Sequence, residues 1–180
     1  MQEMALKKIK LFTLCPVFYS MKYLLQISFF IFFVGYNSVY AQIDKIKFEN
    51  LESRLFKQES DSIYIVNFWA TWCAPCVKEL PAFNKAQQLL DNPKTIFIFV
   101  SLDFPGAEER VLKMVQEKNI QGEVVMLNEP DANVWINKIS KEWQGNIPAT
   151  WFVKPKSNKR IFHIGMIESK EIIDNIHNLK

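Results

Sequence analysis

Two cysteines separated by two residues are the part of this chain whose type and spacing could do chemistry. Cys73 and Cys76 enclose Ala74 and Pro75, and this spacing allows a small disulfide ring. The residues that follow have helical periodicity, which places Cys73 at the first turn of a helix. Unpaired backbone N–H groups and the positive end of the helix dipole favour a thiolate there, and the thiolate is the nucleophilic form of cysteine. We therefore expect Cys73 to be the exposed attacking residue and Cys76 the buried resolving residue.

The elements on either side of the cysteine pair are predicted from the same segment. Ile63–Trp69 is an apolar run of β-branched and aromatic residues, which is typical of a buried strand. Ala70–Trp72 is a short turn, and Pro75–Leu90 is the predicted helix, since proline suits an early helical position. The residues expected to share the buried face of this helix are Val77, Leu80, Phe83, Ala86, Leu89 and Leu90.

The sequence WATWCAPCVKELP resembles the active site of the thioredoxin superfamily. It is most similar to the extracytoplasmic TlpA/ResA-like thiol-disulfide oxidoreductases, whose signature resembles WCxPCxxExP. The matching residues are Trp72, Cys73, Pro75, Cys76, Glu79 and Pro81. The resemblance implies an α/β, thioredoxin-like fold with a central mixed β-sheet flanked by helices. It also implies an inserted helix–strand unit, which we place at Ala107–Leu127.

The remaining periodicity fits this fold. We expect, in order, a helix or irregular lead-in at Ile46–Lys57, a strand at Thr95–Leu102, a turn at Asp103–Gly106, a helix at Ala107–Asn119, a strand at Val124–Leu127, a helix at Pro130–Ile139, a hairpin of Ala149–Lys154 and Arg160–Ile164, and a closing helix at Glu168–Leu179.

A proline near the C-terminal hairpin is the second candidate for a functional position. Thioredoxin-like proteins place a cis proline at the start of a strand that faces the cysteine pair, and Ile147-Pro148 stands in that context. The resemblance implies that the backbone of Ile147 pairs with an extended substrate segment. It also implies that Trp72 lies on the surface around Cys73 and contacts partners. An ordinary trans proline is the alternative.

Glu79 is the third candidate. A carboxyl group near Cys76 could accept the proton that the resolving thiol must lose. Thioredoxins usually carry an aspartate six positions before the first cysteine, but this chain has Asn67 there, which cannot titrate. The family resemblance therefore assigns the acid to Glu79. The alternative is a solvated carboxylate on the surface of the helix.

The first 41 residues have the pattern of a secretory signal peptide. After Met21, Lys22 is a minimal positive region and Leu24–Val34 is the apolar region, while Val39 and Ala41 fit the small-residue positions before a cleavage site. We expect translation to start at Met21 and cleavage to follow Ala41. An uncleaved membrane anchor is the alternative, although this apolar region is shorter than the roughly 20 residues that span a bilayer.

Export would leave residues 42–180 as one thioredoxin-like domain in the periplasm or cell envelope. The chain has 22 basic and 19 acidic residues, and removal of residues 1–41 leaves 18 of each. The mature domain is therefore formally neutral, which argues against a nucleic-acid partner. It would also keep only two cysteines, a pair better suited to thiol-disulfide exchange than to stabilising the fold as a structural disulfide.

The function implied by this resemblance is thiol-disulfide exchange, more readily in the reducing direction. The expected partners are protein disulfides or dithiols, such as apocytochrome c or damaged envelope proteins, and a membrane-borne thiol-disulfide electron donor. We expect a monomer without cofactor or metal. Three alternatives stay open: an oxidant using the same residues, a Cu(I) chaperone using Cys73, Cys76 and His163, and a binding module without turnover.

Overall fold

The computed structural model describes residues 43–56, 61–90 and 92–180. The predicted signal peptide and its cleavage site lie outside these residues. In chain order the elements are β1 (Asp44–Ile46), α1 (Phe48–Phe56), β2 (Ile63–Trp69), α2 (Ala74–Leu90), β3 (Thr95–Ser101), α3 (Glu108–Glu117), β4 (Glu123–Leu127), α4 (Ile136–Ile139), β5 (Ala149–Lys154), β6 (Lys159–Ile164) and α5 (Ser169–Leu179), with short 3₁₀ turns at Ala132–Val134 and Pro155–Ser157.

The six strands form one mixed sheet in the order β1-β4-β3-β2-β5-β6. β1, β4, β3 and β2 pair in parallel, whereas β5 and β6 add an antiparallel hairpin beside β2. Every residue of β2 is buried, as expected for a strand with neighbours on both edges and covered faces. The predicted α/β fold with a central mixed sheet is thus confirmed.

Alternation along β2 decides which side chains face the cysteines. Ile63, Ile65 and Trp69 pack into the same hydrophobic cluster as Cys73 and Cys76. The intervening residues of the strand join a second cluster on the opposite face, with Phe48, Trp135, Trp143 and Trp151. Because successive strand residues point to opposite faces, Asn67 projects to the cysteine side. The same rule places the polar side chain of Asn67 next to the active-site helix.

The structure corrects three expectations. Ile46 ends a short strand paired with β4, so the lead-in is a strand followed by α1. The predicted helix at Pro130–Ile139 is a 3₁₀ turn followed by the single turn of α4. Leu89 is 64% exposed, so it does not belong to the buried face of α2.

Within residues 43–56, 61–90 and 92–180, no helix combines the length and the apolar character needed to cross a membrane.

Candidate active site

Cys73 and Cys76 form a disulfide at the N-terminus of α2. The sulfur atoms are 2.06 Å apart and the Cα atoms 5.2 Å apart. The backbone N–H of Cys76 points at Cys73 Sγ, 3.3 Å away, so an otherwise unpaired donor of the first helical turn faces that sulfur. In the reduced protein this donor and the helix dipole would favour a thiolate at Cys73.

The two cysteines differ in accessibility, although less than the sequence suggested. Cys76 is fully buried, and Cys73 is 6% exposed. The expectation that Cys73 is exposed is therefore wrong for this disulfide form, while the order of exposure is as expected. Trp72, the residue before Cys73, is 57% exposed, in line with its predicted position on the surface. Ala70 closes the preceding turn by accepting a hydrogen bond from the Cys73 N–H at 3.1 Å.

The Ile147-Pro148 peptide bond is cis, as predicted. The carbonyl oxygen of Ile147 lies 3.8 Å from Cys73 Sγ, which places this loop directly against the disulfide. Pro148 is buried and its carbonyl accepts a hydrogen bond from Gly165 N–H at 2.9 Å. Trp143 holds the other end of the loop by donating from Nε1 to the carbonyl of Asn146 at 2.8 Å. The loop is therefore fixed at both ends, with Ile147 partly exposed between them.

Glu79 lies on the buried face of α2, one turn beyond Cys76, and is 2% exposed. Its Oε1 accepts a hydrogen bond from Asn67 Nδ2 at 2.9 Å, and its Oε2 accepts one from the Ile167 N–H at 3.0 Å. Burial raises the pKa of Glu79 to about 7, and the two hydrogen bonds oppose that rise. The alternative of a solvated surface carboxylate is therefore wrong.

Asn67 ties this carboxyl group to the hairpin. Its Nδ2 also contacts Thr150 Oγ1 at 3.2 Å, and Asn67 and Thr150 are paired across β2 and β5. A buried carboxyl group whose pKa is near neutral can both hold and release a proton under ordinary conditions. The side-chain amide of Asn67 therefore orients the carboxyl group of Glu79, the residue to which the family resemblance assigns the proton transfer.

Asp103 is a site residue that the sequence pattern does not reveal, since that pattern predicts only a turn there. It is buried two residues beyond the end of β3, and its carboxylate accepts hydrogen bonds from the backbone N–H and the hydroxyl of Thr71. One signal is present in the sequence, namely an acidic residue directly after an apolar strand that neighbours β2. That signal does not predict the contact, because nothing local relates Asp103 to Thr71.

The structure does not bring His163 together with the cysteines. Its Nδ1 lies 3.0 Å from a carboxylate oxygen of Glu171, and its Nε2 lies 3.2 Å from the carbonyl oxygen of Met166. Among the residues that the structure describes, no three His, Cys, Asp or Glu side chains are grouped so that they could hold a metal ion. Both ring nitrogens of His163 therefore contact residues other than the cysteines, and the structure does not support a Cu(I) site made of His163, Cys73 and Cys76.

Comparison with known proteins gives one family match, to the AhpC/TSA family over residues 41–159. The thioredoxin-like protein YneN of Bacillus subtilis is 26% identical over 110 residues, which are 60% of this chain and 59% of that protein. The thiol-disulfide oxidoreductase ResA of Oceanobacillus iheyensis is 32% identical over 91 residues, which are 51% of this chain and 43% of that protein.

Solved structures show the same fold. A thioredoxin-related protein from Neisseria meningitidis serogroup B superposes with a TM-score of 0.58 at 22% identity, covering 66% of this chain and 85% of that one. A thioredoxin-family thiol:disulfide interchange protein from Chlorobium tepidum superposes with a TM-score of 0.54 at 20% identity, covering 67% of this chain and 81% of that one.

The alignments with the curated relatives reach only 59% and 43% of the relatives' own lengths. The family match, in contrast, spans more than half of this chain and includes β2, the cysteine pair and the cis proline loop. This match shows that the chain belongs to the AhpC/TSA family, and the mixed sheet together with the solved structures shows that it has a thioredoxin-like fold.

Proposed function

We propose that this protein is an exported thiol-disulfide oxidoreductase that reduces disulfide bonds in other proteins. One observation carries the proposal: the Cys73–Cys76 disulfide lies between the N-terminus of α2 and the cis Ile147-Pro148 loop, with the buried carboxyl group of Glu79 one helical turn further on. A redox-active pair, a backbone surface for a substrate and a group that can take up a proton are thereby brought together.

The first step is attack by Cys73. In the reduced enzyme its thiolate attacks one sulfur of a substrate disulfide, so that a Cys73–substrate bond forms as the substrate S–S bond breaks. The second substrate sulfur leaves as a thiolate and takes a proton from solvent. Helix N-terminal N–H groups, including that of Cys76, stabilise the attacking thiolate.

The second step is resolution by Cys76. Its thiol gives a proton to the Glu79 carboxylate, either directly or through a water molecule, and the resulting thiolate attacks Cys73 Sγ. The Cys73–Cys76 bond forms, and the bond to the substrate breaks and releases the second substrate thiolate. The substrate gains two electrons and the enzyme pair loses two. The pKa of about 7 suits Glu79 to accept and later release this proton.

The substrate segment would lie in an extended conformation along the cis proline loop. Ile147 offers a carbonyl 3.8 Å from Cys73 Sγ and a partly exposed apolar side chain, and backbone pairing in this position would resemble the addition of a strand. Trp72 would contact the same segment from the other side of Cys73, since most of its side chain is accessible. Specificity would then come from apolar side chains beside the substrate cysteine.

Reduction outside the cytoplasm requires a supply of electrons. We assign this supply to a membrane-borne dithiol donor, which would reduce the Cys73–Cys76 disulfide by the reverse exchange after each turnover. Export would depend on residues 1–41, with Gln42 as the first residue of the mature chain. Analysis of the N-terminus of protein recovered from the cell envelope tests this point, and a chain that starts upstream of Gln42 contradicts the cleavage.

The equilibrium redox potential of the cysteine pair tests the direction of the reaction. The third cysteine of the sequence, Cys15, lies within residues 1–41, and the purified protein carries Cys15→Ser so that its thiol does not interfere. This protein is equilibrated in glutathione and dithiothreitol buffers, and the Cys73–Cys76 disulfide is followed by thiol alkylation and mass. We expect a strongly reducing value near that of thioredoxin, about −270 mV. A value near about −120 mV identifies an oxidant that uses the same residues. If no intramolecular disulfide forms at any potential, the oxidoreductase proposal is wrong.

A further inference from the structure

The buried carboxylate of Asp103 holds the turn that precedes the cysteine pair. Asp103 is 4% exposed and lies just beyond the end of β3. Its Oδ2 accepts hydrogen bonds from the Thr71 N–H at 2.8 Å and from the Ser101 hydroxyl at 2.9 Å. Its Oδ1 accepts a hydrogen bond from the Thr71 hydroxyl at 2.5 Å. Thr71 thus binds both oxygens of this carboxylate.

These hydrogen bonds connect the segments that follow β2 and β3, beyond the last paired residues of the two strands. The last paired residues of β2 and β3 are Trp69 and Ser101, and the Leu102 N–H donates to the Trp69 carbonyl at 2.8 Å. The ladder between the two strands stops at this bond. Asp103 supplies the next connection, and the residue that it fixes stands two positions before Cys73.

Burying a carboxylate costs free energy unless hydrogen bonds replace its hydration, and such bonds are stronger than bonds between neutral groups. Thr71 donates most of the hydrogen bonds that stabilise the buried Asp103 carboxylate. A movement of the turn that contains Thr71 would break these bonds, so the carboxylate favours one position of the turn. Trp72 and Cys73 follow directly in the chain, and the Cys73 N–H is itself bound to Ala70 within the same turn. The position of Thr71 therefore sets the positions of both residues.

We infer that Asp103 is a positioning residue that fixes the Thr71–Cys73 segment in the orientation needed for attack on a protein disulfide. The inference rests on the proposed function, because it concerns the first exchange step of that reaction. Attack requires three sulfur atoms to align while the substrate lies against Ile147. A displacement of about 1 Å can slow such an oriented reaction by up to about 100-fold. A small alkylating reagent has no such requirement.

The test separates these two reactions in one set of variants. All proteins carry Cys15→Ser and Cys76→Ser, so that Cys73 is the single reactive thiol and a mixed disulfide with the substrate is trapped. Second-order rate constants are measured for bovine insulin and for iodoacetamide at one pH. For Asp103→Ala we expect the insulin rate to fall about 10- to 100-fold, and the iodoacetamide rate to stay the same or rise.

Variants of Thr71 and Asn84 provide the controls. Thr71→Ser keeps both donors to Asp103 and is expected to react with insulin as the parent does, whereas Thr71→Val loses the hydroxyl bond and should be intermediate. Asn84→Ala is a matched loss of polar contacts on α2, because its side chain bonds the Lys118 carbonyl and the Gln121 N–H. It should leave the ratio of the two rates unchanged.

Each outcome supports or overturns the inference. Equal insulin rates for Asp103→Ala and the parent overturn it, and so does an equal fall in both rates, since that would reflect altered thiolate content or loss of structure. If Asp103→Ala does not fold, Asp103→Asn replaces it; this variant keeps one acceptor oxygen, and a selective loss of the insulin reaction is still expected. Failure of the parent protein to form a mixed disulfide with insulin would instead overturn the proposed function.

Discussion

Glu79 has a pKa near neutral because two opposing effects act on its carboxyl group. Burial beneath α2 penalises the charged form, while hydrogen bonds from Asn67 and Ile167 stabilise it. Burial is the larger effect, so the pKa rises from 4.5 to about 7. The folded protein therefore binds a proton at this site over a pH range in which the unfolded chain has already released it.

This difference in proton binding predicts how stability depends on pH. The contribution of Glu79 is fully present below about pH 4.5 and is lost as the pH rises through about 7. Between about pH 5 and about pH 8 the loss is on the order of 2–3 kcal/mol. We expect Glu79→Gln to remove this loss, which is measured as the free energy of unfolding of the oxidised protein in denaturant at both pH values.

The comparison is made as a difference between variants, so that other titrating groups cancel. Glu142→Gln is the matched control, since Glu142 is exposed and should keep the pH dependence of the parent. If Glu79→Gln and the parent lose the same free energy between the two pH values, Glu79 does not titrate near neutral pH and its assignment as the proton acceptor of Cys76 fails.

At the scale of elements, the close approach of β4 to β3 depends on a glycine. Gly122 precedes β4 with φ +151°, and a Cβ atom there would lie 2.8 Å from the Phe97 carbonyl oxygen and 3.0 Å from a ring carbon of Phe99. The nearest atom is backbone, which cannot move aside as the end of a side chain can. The absence of a side chain at position 122 therefore allows β4 to lie close to β3 in the sheet.

We expect Gly122→Ala to lower the free energy of unfolding by about 2–4 kcal/mol, because the strained backbone and the collision with β3 add. Gly106→Ala is the comparison, since Gly106 has φ +91° but a Cβ atom added there would meet nothing within 4 Å. It should cost only the conformational part, about 1–2 kcal/mol. Denaturant unfolding measures both, and equal losses would show that the contact with Phe97 yields at no cost.

At the scale of the whole molecule, a thermodynamic cycle links the redox potential of the cysteine pair to the difference in folding stability between the oxidised and reduced protein. A pair that is more reducing in the folded protein than in the unfolded chain makes the oxidised fold more stable than the reduced one. A strong oxidant shows the reverse, because its reduced form is stabilised. The Cys73–Cys76 ring lies within the larger of the two hydrophobic clusters, so its state is coupled to the core.

For a reductase we expect the oxidised protein to be more stable than the reduced protein by about 2 kcal/mol, the order of the closure entropy of a ring this small. Thermal or denaturant unfolding with and without dithiothreitol measures the difference. The double variant Cys73→Ser, Cys76→Ser should not respond to the reductant. A reduced form that is the more stable of the two would favour the oxidising direction and contradict the proposed one.

The local pattern of the chain determined most of the architecture around the cysteines. β2 has the predicted bounds, and α2 begins one residue before the predicted start. These two elements follow from short-range rules, since β-branched and aromatic runs favour strands and proline suits a first helical turn. The cis bond before Pro148 was expected from the resemblance to thioredoxin-like proteins, because local rules alone favour a trans bond even before proline.

Only the tertiary structure decided the environments of the acidic residues. Glu79 could be placed on α2 from the sequence, but its burial depends on Asn67 and Ile167, which are 12 and 88 positions away. Asp103 meets Thr71 because β2 and β3 are neighbours in the sheet, although 32 positions separate the two residues. The physical reason is that residue type and spacing fix backbone conformation locally, whereas burial and hydrogen-bond partners are fixed by elements that meet only when the chain folds.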